Sequence, residues 1–243
     1  MSKWRNIFHR KGYGIHSPFV FDLITNVVEQ RLSFYAYKEV DLIRLHLRLH
    51  GKIIIFQGKQ SSVQQYLQKQ EISKKEGELL FRLTNHYKPI SIFTIGSGLG
   101  LIPLYLSGYA SNLQCVAFES ENELAGIAEK MIRKYGNKSI RLIPGNYKLT
   151  LPDTLNNYEK IDCLYISKVI SVEETELIYQ TCKPLMHDET IMIISGIHAS
   201  SARHKYWKHL CEDPEITVSV DLYKLGIIFF RPKLHKRMYK NRF

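Results

Sequence analysis

Three glycines at alternate positions, Gly96, Gly98 and Gly100 in "SIFTIGSGLG" (91–100), close a run of branched and aromatic residues. Glycine there permits positive φ and lets a ligand lie against the backbone with no Cβ in the way. The segment that follows, "LIPLYLSGYA", reads as a helix whose first amides point at the same place. Pro103 in its first turn costs little, because those N–H groups lack intrahelical partners. A dinucleotide loop is expected to run G-x-G-x-x-G with a small third residue, and the corresponding position here is Leu101, which counts against a nicotinamide cofactor. Glu119 ends the next apolar run, where a carboxylate can accept both hydroxyls of a ribose.

Other groups lie farther along. His198 in "ISGIHAS" follows an apolar run. Imidazole titrates near neutrality and suits a general base, although capping the next helix or orienting a loop would use the same residue. Lys168 in "YISKVI" reads either as a contact for an acidic substrate or as a solvated loop lysine. His16 sits in a turn set by Gly14 and Pro18, beside the basic His9, Arg10 and Lys11. Four cysteines, Cys115, Cys163, Cys182 and Cys211, form no C-x-x-C, so neither a zinc site nor a disulfide framework is indicated.

The elements that must position these residues follow from periodicity. "ISIFTI" (90–95), "LQCVAF" (113–118), "IRLI" (140–143), "IDCLYI" (161–166) and "TIMIIS" (190–195) are short and apolar on both faces, as buried parallel strands are. Ser73 with Glu76, Ser120 with Glu123, and Ser171 with Glu174 have capping-box spacing and predict helix starts. Gly136 and Asn137, in left-handed conformation, are expected to end the second of these helices. Strand and helix in alternation imply right-handed crossovers and a doubly wound sheet. The runs at 216–222 and 226–230 are too close for an intervening helix and predict a terminal antiparallel hairpin. The expectation is a Rossmann-like α/β fold with seven strands and an N-terminal, mainly helical extension. Its regions are a helical cap or lid (1–72), the α/β domain (73–232) and a basic tail (233–243).

With 243 residues and 44% apolar side chains, the chain can bury a sizeable core. The net charge of +11 is concentrated at the ends: Lys3, Arg5, Arg10 and Lys11 at the start, and Arg231, Lys233, Lys236, Arg237, Lys240 and Arg242 at the finish, with no acid in either segment. Such ends suit nucleic-acid phosphates or anionic lipid, or simply form a solvated terminus. No apolar run approaches the roughly 20 residues that cross a bilayer, and nothing reads as a signal peptide, so a cytoplasmic location is expected.

A G-x-G-x-G loop with an acid ending the next strand and a terminal hairpin resembles the class I S-adenosylmethionine-dependent methyltransferases over residues 75–232. A bacterial O-methyltransferase-like subgroup is more similar still: its "GIHSPFV", "LLFRLVNYF" and "LGLVFFR" segments are matched by 14–20, by "LLFRLTNHY" and by "LGIIFFR". The resemblance implies S-adenosyl-L-methionine as cofactor, held by Thr94, Gly96, Ser97, Gly98, Gly100, Glu119, Ser120, Asn146, Tyr147 and Ser167. It makes His198 the candidate base.

The chain departs from that family at its acids. Thr94 stands where the subgroup has Glu or Asp, Ser167 ends the fourth strand, Ser195 and Gly196 end the fifth, and "IFQGKQSS" (55–62) lacks the acid of "DFGAGS". Metal-dependent relatives draw Mg²⁺ ligands from those strand ends, so no metal site is expected. The losses fit an enzyme with an anionic substrate, or a scaffold that has stopped catalysing. The resulting expectation is a metal-independent methyltransferase acting on a small molecule or nucleic acid. The alternative is a catalytically silent binding protein whose basic ends contact nucleic acid or a protein partner. The oligomeric state stays open, a homodimer among the possibilities.

Overall fold

Ser17 caps the first helix by accepting the Val20 N–H, with Pro18 in the first turn. The computed structural model describes residues 15–49, 51–136 and 138–241. Lys3, Arg5, His9, Arg10, Lys11, Gly14, Asn137 and Arg242, named above, lie outside them. Helix α1 (Pro18–Asp22) runs on into a π-helical turn (Leu23–Val28). Then come α2 (Tyr35–Arg48), a hairpin of β1 (Ile53–Phe56) and β2 (Lys59–Ser62), α3 (Val63–Lys69) and α4 (Lys74–Tyr87).

Alternation then begins, with β3 (Ser91–Ile95), α5 (Leu101–Ser107), β4 (Gln114–Glu119), α6 (Asn122–Tyr135), β5 (Ile140–Pro144) and α7 (Tyr147–Leu155). It continues through β6 (Ile161–Ile166), α8 (Val172–Cys182), β7 (Met186–Ser195) and α9 (Ser201–Leu210), and closes in β8 (Val218–Asp221), β9 (Leu225–Phe229) and β10 (Arg237–Lys240). The main sheet runs β10-β8-β9-β7-β6-β3-β4-β5. Neighbours from β7 to β5 are parallel, and β9 is antiparallel to both β7 and β8.

Alternate residues of the central strands enter different cores, as the period of 2 requires. Ile92, Cys163, Tyr165 and Ile193 pack with α4, α5, α6 and the N-terminal helices, whereas Phe93, Leu164, Ile166 and Met192 pack with α7, α8 and α9. Residues 18–67 share the first of these cores with the sheet: Val20, Ile24, Val40, Ile54 and Tyr66 belong to the cluster that holds Ile92 and Leu101. Each buried leucine of α4 (Leu79, Leu80, Leu83) contributes about 1.5–3 kcal/mol to holding that layer.

Two local expectations differ from the structure. The Ser73–Glu76 and Ser171–Glu174 boxes form, but Ser120 does not cap α6, whose N-cap is Glu121. Glu123 is drawn away to accept the Ile55 N–H of the β1–β2 hairpin, so a tertiary contact displaces the local one. Gly136 adopts extended geometry (φ −82°, ψ 167°), its N–H satisfied by the Ile132 carbonyl.

The basic tail supplies an eighth strand, β10, parallel to β8. Its backbone finds partners along an otherwise unpaired sheet edge, which orders a segment whose composition reads as solvated. Among the described residues, no helix is long and apolar enough to cross a membrane.

Candidate functional site

Strand β3 lies between β4 and β6, and in an open α/β sheet the crevice for a ligand forms beyond the C-terminal end of the strand where the order reverses. The 96–100 loop leaves β3 at that point. Gly96, Gly98 and Gly100 have φ of +79°, +58° and +90°, which L side chains rarely adopt. At Gly100 the helix also presses close, since a Cβ would stand 3.2 Å from the Ala128 Cα. The Gly96 and Ser97 amides both donate to the Phe118 carbonyl at 3.0 Å, and Gly100 donates to Ser97. The Gly98 amide donates to Glu119 Oε2 at 2.7 Å. The Leu99 amide donates to Glu71 Oε2 at 2.9 Å.

Glu119 is 2% exposed, and its other oxygen accepts the Glu121 amide at 3.1 Å. Burial pushes its carboxyl up to about 7, against the two amide bonds that pull it down. Thr94, fully buried, shares a hydrogen bond with Ser97 Oγ at 2.9 Å and so ties the loop to its strand. Ser167 donates its amide to the Ile95 carbonyl, and its side chain packs on Gly96. Tyr147, buried, accepts the Ser120 amide at 3.1 Å. The structure thus brings Thr94, Gly96, Ser97, Gly98, Gly100, Glu119 and Ser167 together around one loop, with Ser120 and Tyr147 joined beside it. Asn146 is turned to its own helix, capping α7 through the Lys148 amide.

Sequence reasoning missed the cover of this loop. Gln57, at the tip of the β1–β2 hairpin, donates to Glu121 Oε1 and to the Val169 carbonyl, spanning the ends of β4 and β6. A Cβ at Gly98 would meet Glu71 Oε2 at 2.6 Å and Tyr66 Oη at 3.2 Å. Burial raises the Glu71 carboxyl, opposed by the Leu99 amide and the Arg44 charge. Nothing in "KQEISKKEG" distinguishes Glu71 from a surface acid.

His198, past the end of β7, is held by its own partners, with Nε2 2.8 Å from Asp221 Oδ2 and its ring stacked on His204 (4.1 Å) and Tyr223 (4.8 Å). His198, His204 and Asp221 bring potential ligand atoms within 4.8 Å of one another. The two imidazoles lie nearly face to face, at 28°, rather than converging on a point. At the ends of β6 and β7 the cation is a side chain: the Arg203 guanidinium donates to the carbonyls of Ile170 (2.6 Å), Ser195 (2.8 Å) and Gly196 (3.0 Å). With Ser167, Ser195 and Gly196 around it, that place offers no carboxylate to a divalent ion.

Of two sizeable cavities, one borders the site. One of about 610 Å³ follows α6 and the outer strand β5 and includes none of the loop glycines. The other, about 540 Å³, lies between α2, the 67–74 segment and Lys168 and Lys224, and Glu71 forms part of its wall.

Strand order, crossover layers, terminal hairpin and glycine loop together define the class I methyltransferase fold. No family model and no curated protein matches the sequence. Among solved structures the chain is similar to the S-adenosylhomocysteine-bound methyltransferase PaMTH1 of Podospora anserina (TM-score 0.60, 17% identity, 83% of this chain and 99% of that one). It is likewise similar to an S-adenosylhomocysteine-bound O-methyltransferase of Bacillus cereus (TM-score 0.57, 15% identity, 83% and 93%). A third is the O-methyltransferase TomG of Streptomyces achromogenes in complex with S-adenosylmethionine (TM-score 0.57, 14% identity, 66% and 81%).

Proposed function

We propose that the chain is an S-adenosylmethionine-dependent methyltransferase in which the cofactor lies over the 96–100 loop. The observation that carries this reading is the Glu119 carboxylate at the end of β4, beside the Gly98 amide, at the switch point of the sheet. The residues suit such a ligand: Glu119 for a ribose diol, glycines at positive φ for close approach, and Tyr147 beside Ser120 at the end expected to hold adenine. The Tyr66 hydroxyl lies over Gly98, so a ligand on the loop displaces that ring.

When bound, S-adenosylmethionine supplies an electrophilic methyl group on a sulfonium. The chain's task is to hold the acceptor in line with that methyl and to exclude water. Glu71 stands over the loop where Thr94 brings no charge, and we assign it the carboxylate that faces the cofactor's ammonium group. His198, held by Asp221, is the candidate base for an acceptor that must lose a proton. The strand ends of β6 and β7, braced by Arg203 and free of carboxylates, support a mechanism without metal. Four buried, unpaired thiols support a reducing compartment such as the cytoplasm.

The test is isothermal titration of S-adenosylmethionine and S-adenosylhomocysteine into the wild type and Glu119→Ala. Micromolar binding that weakens at least tenfold in the variant is expected. No binding of either compound at millimolar concentration would overturn the reading.

A further inference from the structure

We propose that the 540 Å³ cavity beside the glycine loop is the acceptor site, and that the acceptor is a small molecule carrying a phosphate or carboxylate group. This rests on the methyltransferase reading and adds to it the class of substrate.

The cavity's size is that of a small-molecule site, in the usual range of roughly 300–1,000 Å³. Its cations come from four separate parts of the chain: Arg44 and Arg48 from α2, Lys74 from the start of α4, where it is paired with Asp41, Lys168 from just past the end of β6, and Lys224 from the β8–β9 turn. Convergence of distant segments on one cavity is unlike the run of charge along a solvated helix face. Arg44 is 7% exposed and fixed, donating to the Ile72 carbonyl at 2.8 Å and to Tyr105 Oη at 3.4 Å. A guanidinium has five N–H donors, so these bonds leave further ones for an oxyanion. Lys168 is anchored through the Lys69 carbonyl at 3.0 Å and uses one of its three donors there.

The acids on the same wall are largely committed. Asp41 pairs with Lys74, Glu76 accepts the Ser73 amide in its capping box, and Glu71 accepts the Leu99 and Ile72 amides. Glu71 is the partition between cavity and loop: one residue both lines the cavity and bonds Leu99. Lys168 follows Ser167, which packs on Gly96, and its Cβ lies where a side chain at Gly196 would stand. The basic wall therefore begins beside the loop. An anionic acceptor also accounts for Ser167, Ser195 and Gly196, since carboxylates at these strand ends would repel it.

The test titrates inorganic pyrophosphate, malonate and a single-stranded oligonucleotide into the wild type, the Arg48→Ala/Lys224→Ala double variant, and a Lys130→Ala/Lys205→Ala control. The control removes the same charge from solvent-facing positions. S-adenosylhomocysteine is titrated into the wild type in parallel. One-to-one binding of pyrophosphate or malonate is expected, at least tenfold weaker in the first variant and within twofold of wild type in the control. Its dissociation constant should shift at least threefold when S-adenosylhomocysteine is saturating. Pyrophosphate marks a phosphorylated acceptor and malonate a carboxylated one.

Binding of S-adenosylhomocysteine with neither small anion bound, or with both bound equally by the first variant, would overturn this proposal alone. Binding of the oligonucleotide only, lost in the first variant, would overturn it in favour of nucleic acid. Failure of S-adenosylhomocysteine to bind would overturn the methyltransferase reading, and the acceptor assignment with it.

Discussion

The Glu71 carboxylate accepts the Leu99 amide at 2.9 Å, so an acid from the segment before α4 sits on the loop that leaves β3. It stands 23 positions before Thr94, the uncharged residue near the end of β3, and reaches the loop from another segment of the chain. A carboxyl group absent from β3 is thus supplied to the loop by another segment.

If Glu71 faces the cofactor's ammonium group, Glu71→Gln weakens S-adenosylhomocysteine binding about tenfold or more. That is the loss of one charge-assisted hydrogen bond, about 1.5–3 kcal/mol. Methylthioadenosine, which lacks the ammonium, binds the variant within twofold of wild type. Titration of both ligands checks this, and equal losses for the two would assign Glu71 to loop structure instead.

With Glu119 pushed up to about 7, the cofactor's diol meets an ionised acceptor only above neutrality. S-adenosylhomocysteine affinity is therefore expected to rise between pH 6 and 8, and to be flat in Glu119→Gln. The stability effect has the opposite sign. The folded state binds this proton more tightly than the unfolded chain, so Glu119's contribution falls as pH rises from 4.5 through about 7, by up to about 3 kcal/mol. Urea melts of wild type and variant at pH 5 and pH 8 isolate that difference.

Arg203→Met leaves the carbonyls of Ile170, Ser195 and Gly196 without their guanidinium donor. A loss of about 1–3 kcal/mol is expected, as for buried carbonyls left without a hydrogen-bond donor. Thermal unfolding of the variant measures it, and a change below 1 kcal/mol would show the ends of β6 and β7 to be braced by packing alone.

Gly100→Ala places a Cβ 3.2 Å from the Ala128 Cα at a φ of +90°, and backbone cannot yield as a side-chain tip can. The expected loss is about 1–3 kcal/mol, with S-adenosylhomocysteine binding weakened because α5 must shift. Denaturant melts and the same titration read both.

How far the sequence reached depends on the range of each interaction. "SIFTIGSGLG" carries its own strand and turn, because burial on both faces and positive φ are properties of local residue types. A doubly wound parallel sheet follows from alternation and handed crossovers, and the β8–β9 hairpin from the shortness of its connection, whereas the order β7-β6-β3-β4-β5 is decided by the folded structure. Ser73–Glu76 and Ser171–Glu174 formed as spacing predicts, since each box closes within four residues. Ser120–Glu123 has the same spacing and did not form, because Ile55, distant in sequence, offers Glu123 a competing amide.

The same division holds for function. That the glycine loop and Glu119 meet was legible because they end the successive strands β3 and β4, which alternation places side by side. Tertiary structure alone decided that Glu71 meets Leu99, that Arg203 braces β6 and β7, that the tail becomes β10, and that Arg44, Arg48, Lys168 and Lys224 share a cavity. These pairings join segments with no fixed separation along the chain. Their partners are chosen by packing in three dimensions, which no local pattern of residues encodes.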